Sequence, residues 1–357
     1  MRHLALILSI ACAAPAGAQQ PVLELVGQLR FPVDTTMNAE GSGGSDVWAY
    51  TAPDGSEYAL MGVLDGVAVV AVPSMEIVAH IPGPELEDAW YHRDIKTYGH
   101  HAFITAENYG ENEGLIVADL SGLPESAPVV AVAGGELISS HNLSIDVATG
   151  YAYVLNSNGN AVVIVDVREP ARPEVVGTVP TGELHDVFAR NDTLWVAEGN
   201  QGAFSIWDVS DKGAPGMRSR VPIPSSGYVH NIWPTDDGRH AVTTEETQDH
   251  TVKVWDTSDF DNVTLLGEYL AANGIAHNAH VAGRYAFISH YGAGVVVVDI
   301  ADPANPVEVA RFDTYPSNDD GGFHGSWGTI PPTPGGYVYG SDIEGQLTVM
   351  RFRAVEL

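Results

Sequence analysis

A seven-bladed β-propeller is the fold predicted by the sequence, and three observations predict it. One unit starts at Ser45, His92, His141, His185, His230, His277 and His324, with successive starts about 46 residues apart. Each unit is built from short runs of β-forming residues split by turn residues, without a helical period. At the ends of the chain, a strand outside any repeat meets a repeat that lacks its last strand.

The clearest unit runs from His277-Asn-Ala-His-Val281 through Gly283-Arg-Tyr-Ala-Phe-Ile-Ser-His290 and Gly294-Val-Val-Val-Val-Asp299 to Pro303-Ala-Asn-Pro-Val-Glu-Val309. Its third run has counterparts in Leu115-Ile-Val-Ala-Asp119, Val162-Val-Ile-Val-Asp166, Phe204-Ser-Ile-Trp-Asp208 and Val252-Lys-Val-Trp-Asp256. Such β-branched and aromatic runs suit buried strands, and Asp236-Asp-Gly238, Gly159 and Pro303 supply breaks between strands. Four strands per repeat is the pattern of a propeller blade. After Leu347-Thr-Val-Met-Arg-Phe352 the last unit has no fourth strand, whereas Pro21-Val-Leu-Glu-Leu-Val-Gly-Gln-Leu29 resembles one. The N-terminal strand is therefore expected to complete blade seven, which leaves the ring no open sheet edge at its seam.

Two domain-level expectations follow. Residues 1–18 read as a signal peptide: Arg2 and His3, an apolar run from Leu4 to Ala14, and the small residues Ala16-Gly-Ala18 before Gln19. Residues 19–357 then form one propeller, expected as a monomer in the periplasm or outside the cell. The single cysteine, Cys12, lies in the leader, so the mature chain would contain no disulfide, thiolate ligand or cysteine nucleophile. Ser9 stands where a lipoprotein signal would carry leucine, and no C-terminal anchor is expected before Leu357. With 46 acidic and 16 basic residues, a formal charge of −30, the chain is repelled by phosphate backbones and anionic lipid. Nucleic acid is excluded as a partner on that ground, and no other stretch is long enough for a membrane span.

The runs Val162-Val-Ile-Val-Asp-Val-Arg-Glu-Pro-Ala-Arg-Pro173 and Val295-Val-Val-Val-Asp-Ile-Ala-Asp-Pro-Ala-Asn-Pro306 resemble LVIVD-repeat propellers. More narrowly, Ser45-Asp-Val-Trp-Ala-Tyr50 followed by Glu57-Tyr-Ala-Leu-Met-Gly62 resembles the bacterial choice-of-anchor B proteins. The resemblance implies an exported propeller without implying an activity. LVIVD repeats often carry a small residue at the unit's first position, so the histidines found there are not a demand of the fold.

Those histidines are the chemical signal. First strands line a propeller's channel, so His92, His141, His185, His230, His277 and His324, with Ser45 in the seventh place, should form a ring at one mouth. A second polar ring at the end of the next strand aligns as Glu107 (to within one residue), Asn156, Glu198, Glu245, His290 and Asp342. Imidazole and carboxylate without thiolate are ligands for divalent Zn, Cu, Mn or Fe. The candidate metal residues are thus His92, His141, His185, His230, His277, His324, His290, Glu198 and Glu245, with the ion expected nearer the arc from His185 to His324. Three readings stay open: a metal centre, a metal-free acid–base site, and a solvated polar mouth copied by duplication. A metal centre would suit an oxidase or oxygenase, a lyase or a hydrolase; the alternative is a non-enzymatic module that presents its broad face to a small molecule, polysaccharide or protein. His280 lies an odd number of residues from His277 and is expected to pack between blades, as are Trp207 and Trp255. The acidic turn Asn318-Asp-Asp-Gly321 is read as a loop, and no serine-hydrolase, phosphate-loop or His-Glu-x-x-His motif is present.

Exported protein should begin at Gln19 and carry no lipid. Intact-mass measurement checks this, and a diacylglycerol adduct on Cys12 would contradict it.

Overall fold

The computed structural model describes residues 21–36, 41–83, 92–107, 114–156, 161–272, 274–317 and 322–354. The leader, Cys12 and the turn at Asn318–Gly321 lie outside the described residues. Within them stand seven antiparallel sheets of four strands each, and the only helical element is the short 3-10 turn Gly135–Leu137. No described helix is long and apolar enough to cross a membrane.

The inner strands, one per blade in chain order, are Val47–Thr51, Ile95–Tyr98, Ser140–Asp146, Asp186–Arg190, Val229–Pro234, Ile275–Ala282 and Ser326–Thr329. Their upstream ends all meet at one mouth of the channel, where the repeat starts gather. The two middle strands of each blade are buried on both faces, which is why they read as continuous apolar runs. Val162–Asp166 and Gly294–Asp299 are buried except at their closing aspartates. Outer strands such as Glu174–Val179 face solvent along most of their length, with Val175 and Val176 both exposed.

Every seam between neighbouring blades holds its own apolar cluster. Leu60, Val69, Ile95 and Ile104 join blades one and two. Trp207 and Trp255 lie in the clusters joining blades three to four and four to five. Each indole donates to a hydroxyl at 2.9 Å, Ser205 for Trp207 and Thr243 for Trp255. These two tryptophans are core, as their sequence position predicts.

Closure follows the predicted pairing of the two terminal strands. Val22–Arg30 pairs antiparallel with Gln346–Arg353, setting Val22 opposite Arg353 and Leu29 opposite Leu347. Polar contacts reinforce it: Arg30 Nε donates to Gln346 Oε1 at 3.0 Å, and Arg353 Nε donates to Glu24 at 2.7 Å. Leu23 enters the seam between blades six and seven beside Phe287, Val297 and Met350.

Leu23→Ala removes apolar contact from that seam and should lower stability by about 2–4 kcal/mol. Denaturant unfolding followed by far-UV circular dichroism measures it. An unchanged midpoint would mean that the N-terminal strand does not hold the ring closed.

Candidate functional site

In the inner strands the histidine positions coincide with breaks in register. The pairing of the first two strands skips between Ser140 and Asn142, Val229 and Asn231, Ala276 and Ala279, and Ser326 and Gly328. The bulged residues are His141, His230, His277 with Asn278, and Trp327. A bulge turns its extra residue out of the alternating pattern and re-aims the side chain. Here it aims imidazoles, and one indole, into the channel.

The resulting ring is His92, His141, His185, His230, His277 and Trp327. Ring centroids lie 5.3 Å apart for His92–His141, 4.5 Å for His141–His185, 3.8 Å for His185–His230 and 4.1 Å for His230–His277. Trp327 closes the circle, 4.8 Å from His277 and 4.3 Å from His92. The ring borders a cavity of about 30 Å³, room for one water or one ion.

His324, expected in this ring, stands outside it. Its Nδ1 lies 3.3 Å from Glu344 Oε1, while the other Glu344 oxygen accepts the Gly325 N–H at 3.0 Å. The positive φ values of Gly322 (135°) and Gly325 (77°) bend the chain here, so blade seven's inner strand begins at Ser326 and the ring position falls on Trp327. Ser45 is buried in blade one, its hydroxyl accepting the Arg93 N–H at 3.2 Å.

The second ring divides. Glu107 reaches the histidines, with one oxygen 2.8 Å from His141 Nδ1 and the other 3.2 Å from His92 Nδ1. Glu198 instead accepts Arg220 Nε at 2.7 Å. Glu245 is wholly buried in blade five, taking Lys253 and His250 as partners. Asn156 donates to the Glu136 carbonyl, His290 Nδ1 lies 3.0 Å from the Tyr291 carbonyl, and Asp342 accepts from Gln346. The carboxylate that reaches the ring from blade five is Glu246, which the alignment missed by one residue. Glu245 still pairs with Val229 inside the sheet, whereas Glu246 lies just beyond the strand. Its oxygens stand 3.7 Å from His230 Nε2 and 3.7 Å from His277 Nε2.

Two groups of possible ligands result, His92–Glu107–His141 and His230–Glu246–His277, in each of which the donor atoms lie within 4.8 Å of one another. They differ in bonding. In the first group the carboxylate holds both imidazoles at hydrogen-bond distance, and the pair is electrostatically complete. Burial works against charge on His141, but Glu107 outweighs it and raises the pKa above the ordinary histidine value. Burial also disfavours the Glu107 anion, yet hydrogen bonds from His141 and His92 hold its carboxyl far below the usual range. His141 Nε2 meets His185 Nε2 at 2.9 Å, and His185 Nδ1 meets the His230 carbonyl at 3.0 Å. This chain is satisfied when His141 is an imidazolium donating to both Glu107 and His185, with His185 neutral and protonated on Nδ1.

The second group has no such hydrogen-bonded pairing between carboxylate and imidazole. His277 Nδ1 is committed to the Trp327 carbonyl, which turns the lone pair of Nε2 towards Glu246. Burial holds His277 down to about 3 and pushes the Glu246 carboxyl up to about 7, against the lowering effects of His141 and a Tyr291 hydrogen bond. His230 is likewise held well below its ordinary value by burial and by the neighbouring histidines.

Beneath the ring lies a tier that the sequence reading did not single out. Asp46 accepts the Ile95 N–H (3.2 Å) and Asp94 the Leu143 N–H (2.6 Å), each from the next blade. Asn231 donates to Asp186 (2.7 Å) and accepts the Ala279 N–H (3.1 Å). Lys96 sits among the carboxylates, paired with Asp46 and Asp94. Burial opposes its charge, but those two anions outweigh it and raise its pKa. Recurrence of Asp or Asn one residue after the repeat start (Asp46, Asn142, Asp186, Asn231, Asn278) was the available signal. His280 also faces the channel rather than a seam, 5.9 Å from Trp48 of blade one and 4.3 Å from Trp233 of blade five. The bulge at His277 shifts strand parity, so positions three apart fall on one side.

In metal-free protein at neutral pH, nitrogen-detected histidine spectra should show His141 doubly protonated and His277 neutral. Glu107→Gln should bring the His141 pKa down, because burial is then opposed only by the smaller effects of Asp186 and Asp94. A neutral His141 in wild-type protein would contradict the proposed hydrogen-bond chain.

Residues 141–181 and 273–314 match the LVIVD repeat family. No curated protein matches the chain. Among solved structures, the crystal structure of RRP9 WD40 repeats is similar with a TM-score of 0.68, covering 94% of this chain and 99% of that one. At 11% sequence identity the likeness is one of fold alone. Matched repeats and seven closed sheets together make this chain a seven-bladed β-propeller with LVIVD repeats.

Proposed function

We propose that the protein binds a divalent transition metal at the channel mouth, through His230, His277 and Glu246. The observation that carries this reading is the spacing of 3.7 Å between each Nε2 and a carboxylate oxygen. It is too long for a hydrogen bond. It is close to the separation of roughly 3.3 Å between two ligands that each bond one tetrahedral ion at about 2.0–2.1 Å. One cation there would neutralise Glu246 and occupy both lone pairs. Two imidazoles and a carboxylate leave a position open, where such an ion could polarise a bound water or substrate. The donor set suits Zn, Fe, Mn or Cu. The charge of −30 favours cation approach. We further propose export to the periplasm or beyond, on the strength of the leader-like first eighteen residues and the choice-of-anchor B resemblance.

Untagged protein loaded with Zn and dialysed should retain one equivalent by elemental analysis. Glu246→Gln and His277→Ala should each weaken Zn binding at least about a hundredfold while circular dichroism stays that of the folded propeller. Retention should fall as the pH drops below about 7, because the Glu246 carboxyl takes up a proton there in competition with the ion, whereas burial keeps His230 and His277 neutral to well below that pH. Wild-type protein that holds none of Zn, Fe, Mn or Cu would overturn the proposal and leave the ring as the polar wall of an interaction module. Loss of metal in Glu107→Gln but not in Glu246→Gln would move the site to the other group.

A further inference from the structure

We infer that the channel mouth opposite the histidines is a binding cup for a small neutral aromatic compound. The observations are independent of the metal reading. Three residues after the repeat start, or four in blade two, the inner strands place Trp48, Lys96, Ser144, Phe188, Trp233 and His280. Beyond this tier the channel opens into a cavity of about 270 Å³ lined from five blades, including Trp48, Ile145, Val147, Phe188 and Trp233. This exceeds the roughly 150 Å³ that accepts benzene and falls just short of the roughly 300 Å³ at which drug-sized sites begin. A one-ring or fused two-ring molecule fits that range.

The lining selects the chemistry. Trp48, Phe188 and Trp233 offer aromatic surface, and Val147 remains 65% exposed at the rim. The nearby cations are already committed. Lys96 is paired with Asp46 and Asp94 and lies 4.5 Å over the Trp48 ring. Arg190 lies 5.0 Å over Phe188 and donates to the Pro234 and Thr235 carbonyls. The Asp146 carboxylate accepts main-chain N–H groups of Ala148 and Asp192. No charge is left to demand an ionic ligand. A sugar would need hydrogen bonds for many hydroxyls, and the lining hydroxyls are already engaged. Ser144 accepts the Ala189 N–H at 2.9 Å, and Thr97 accepts the Trp48 indole N–H at 3.2 Å and donates to the Ala49 carbonyl, which leaves the Asn191 amide. Ring stacking on Trp48 and Trp233 is what the surface provides.

Phenol, indole and methyl glucoside are the probes, each titrated into metal-free full-length protein with saturation-transfer NMR and calorimetry. Indole and phenol should bind wild type, and methyl glucoside should not. Trp233→Ala should weaken indole binding at least tenfold. Ala148→Trp, at an exposed rim position that leaves the core untouched, should do the same by filling the cup. Glu246→Gln should leave it unchanged, which separates this site from the metal proposal. Binding of the glucoside alone, binding of none of the probes, or indole affinity unmoved by both cup substitutions would overturn the inference.

Discussion

Everything in this molecule depends on a ring that must close. Seven sheets arranged about an axis bring their inner strands together, and only antiparallel pairing of Val22–Arg30 with Gln346–Arg353 joins the last sheet to the first strand of the chain. Once the ring is shut, residues far apart in sequence hold fixed positions around a channel too narrow for a second layer of chain. Side chains must fill it. Each position along the inner strand therefore becomes a tier, and each tier has its own chemistry: imidazole and indole, then carboxyl and amide, then aromatic.

The tiers are electrically linked. Asp46, Asp94 and Asp186 are buried together, and a cluster of anions out of water is costly unless compensated. Lys96 compensates one charge between Asp46 and Asp94, each of which also accepts an N–H group of the adjacent blade. Burial still pushes Asp186 up to about 7. The mouth above combines both situations: Glu107 is paired with His141 and His92, while Glu246 stands 3.7 Å from the Nε2 atoms of His230 and His277.

Much of the fold was legible because repetition magnifies weak local signals. One β-branched run before an aspartate means little; five in register, with turn residues at matching places, define a sheet and its copies. The strand that closes the ring could be read from what the ends lacked. The site was legible only to the level of the repeat. Alignment places His324 with its counterparts, but a glycine-rich bend delays blade seven's strand and gives the place to Trp327. It selects Glu245 by position, although the last paired residue of a strand points into the sheet and the next one, Glu246, is free to turn inward. It puts His280 in a seam because alternation assumes an unbroken strand, and a bulge breaks it. Each error is a shift of one to three residues, and such shifts are set by local backbone geometry that period and composition do not encode.

Trp327 has a consequence for assembly. It is blade seven's member of the ring, and it stands against His92 of blade two and His277 of blade six. Contacts among neighbouring blades can form as soon as those blades exist, but the approach of His92 to Trp327 joins opposite ends of the chain. Such non-local contacts are the slow ones in folding. A molecule with its final blade undocked would carry a crescent of imidazoles open on one side in place of a walled ring.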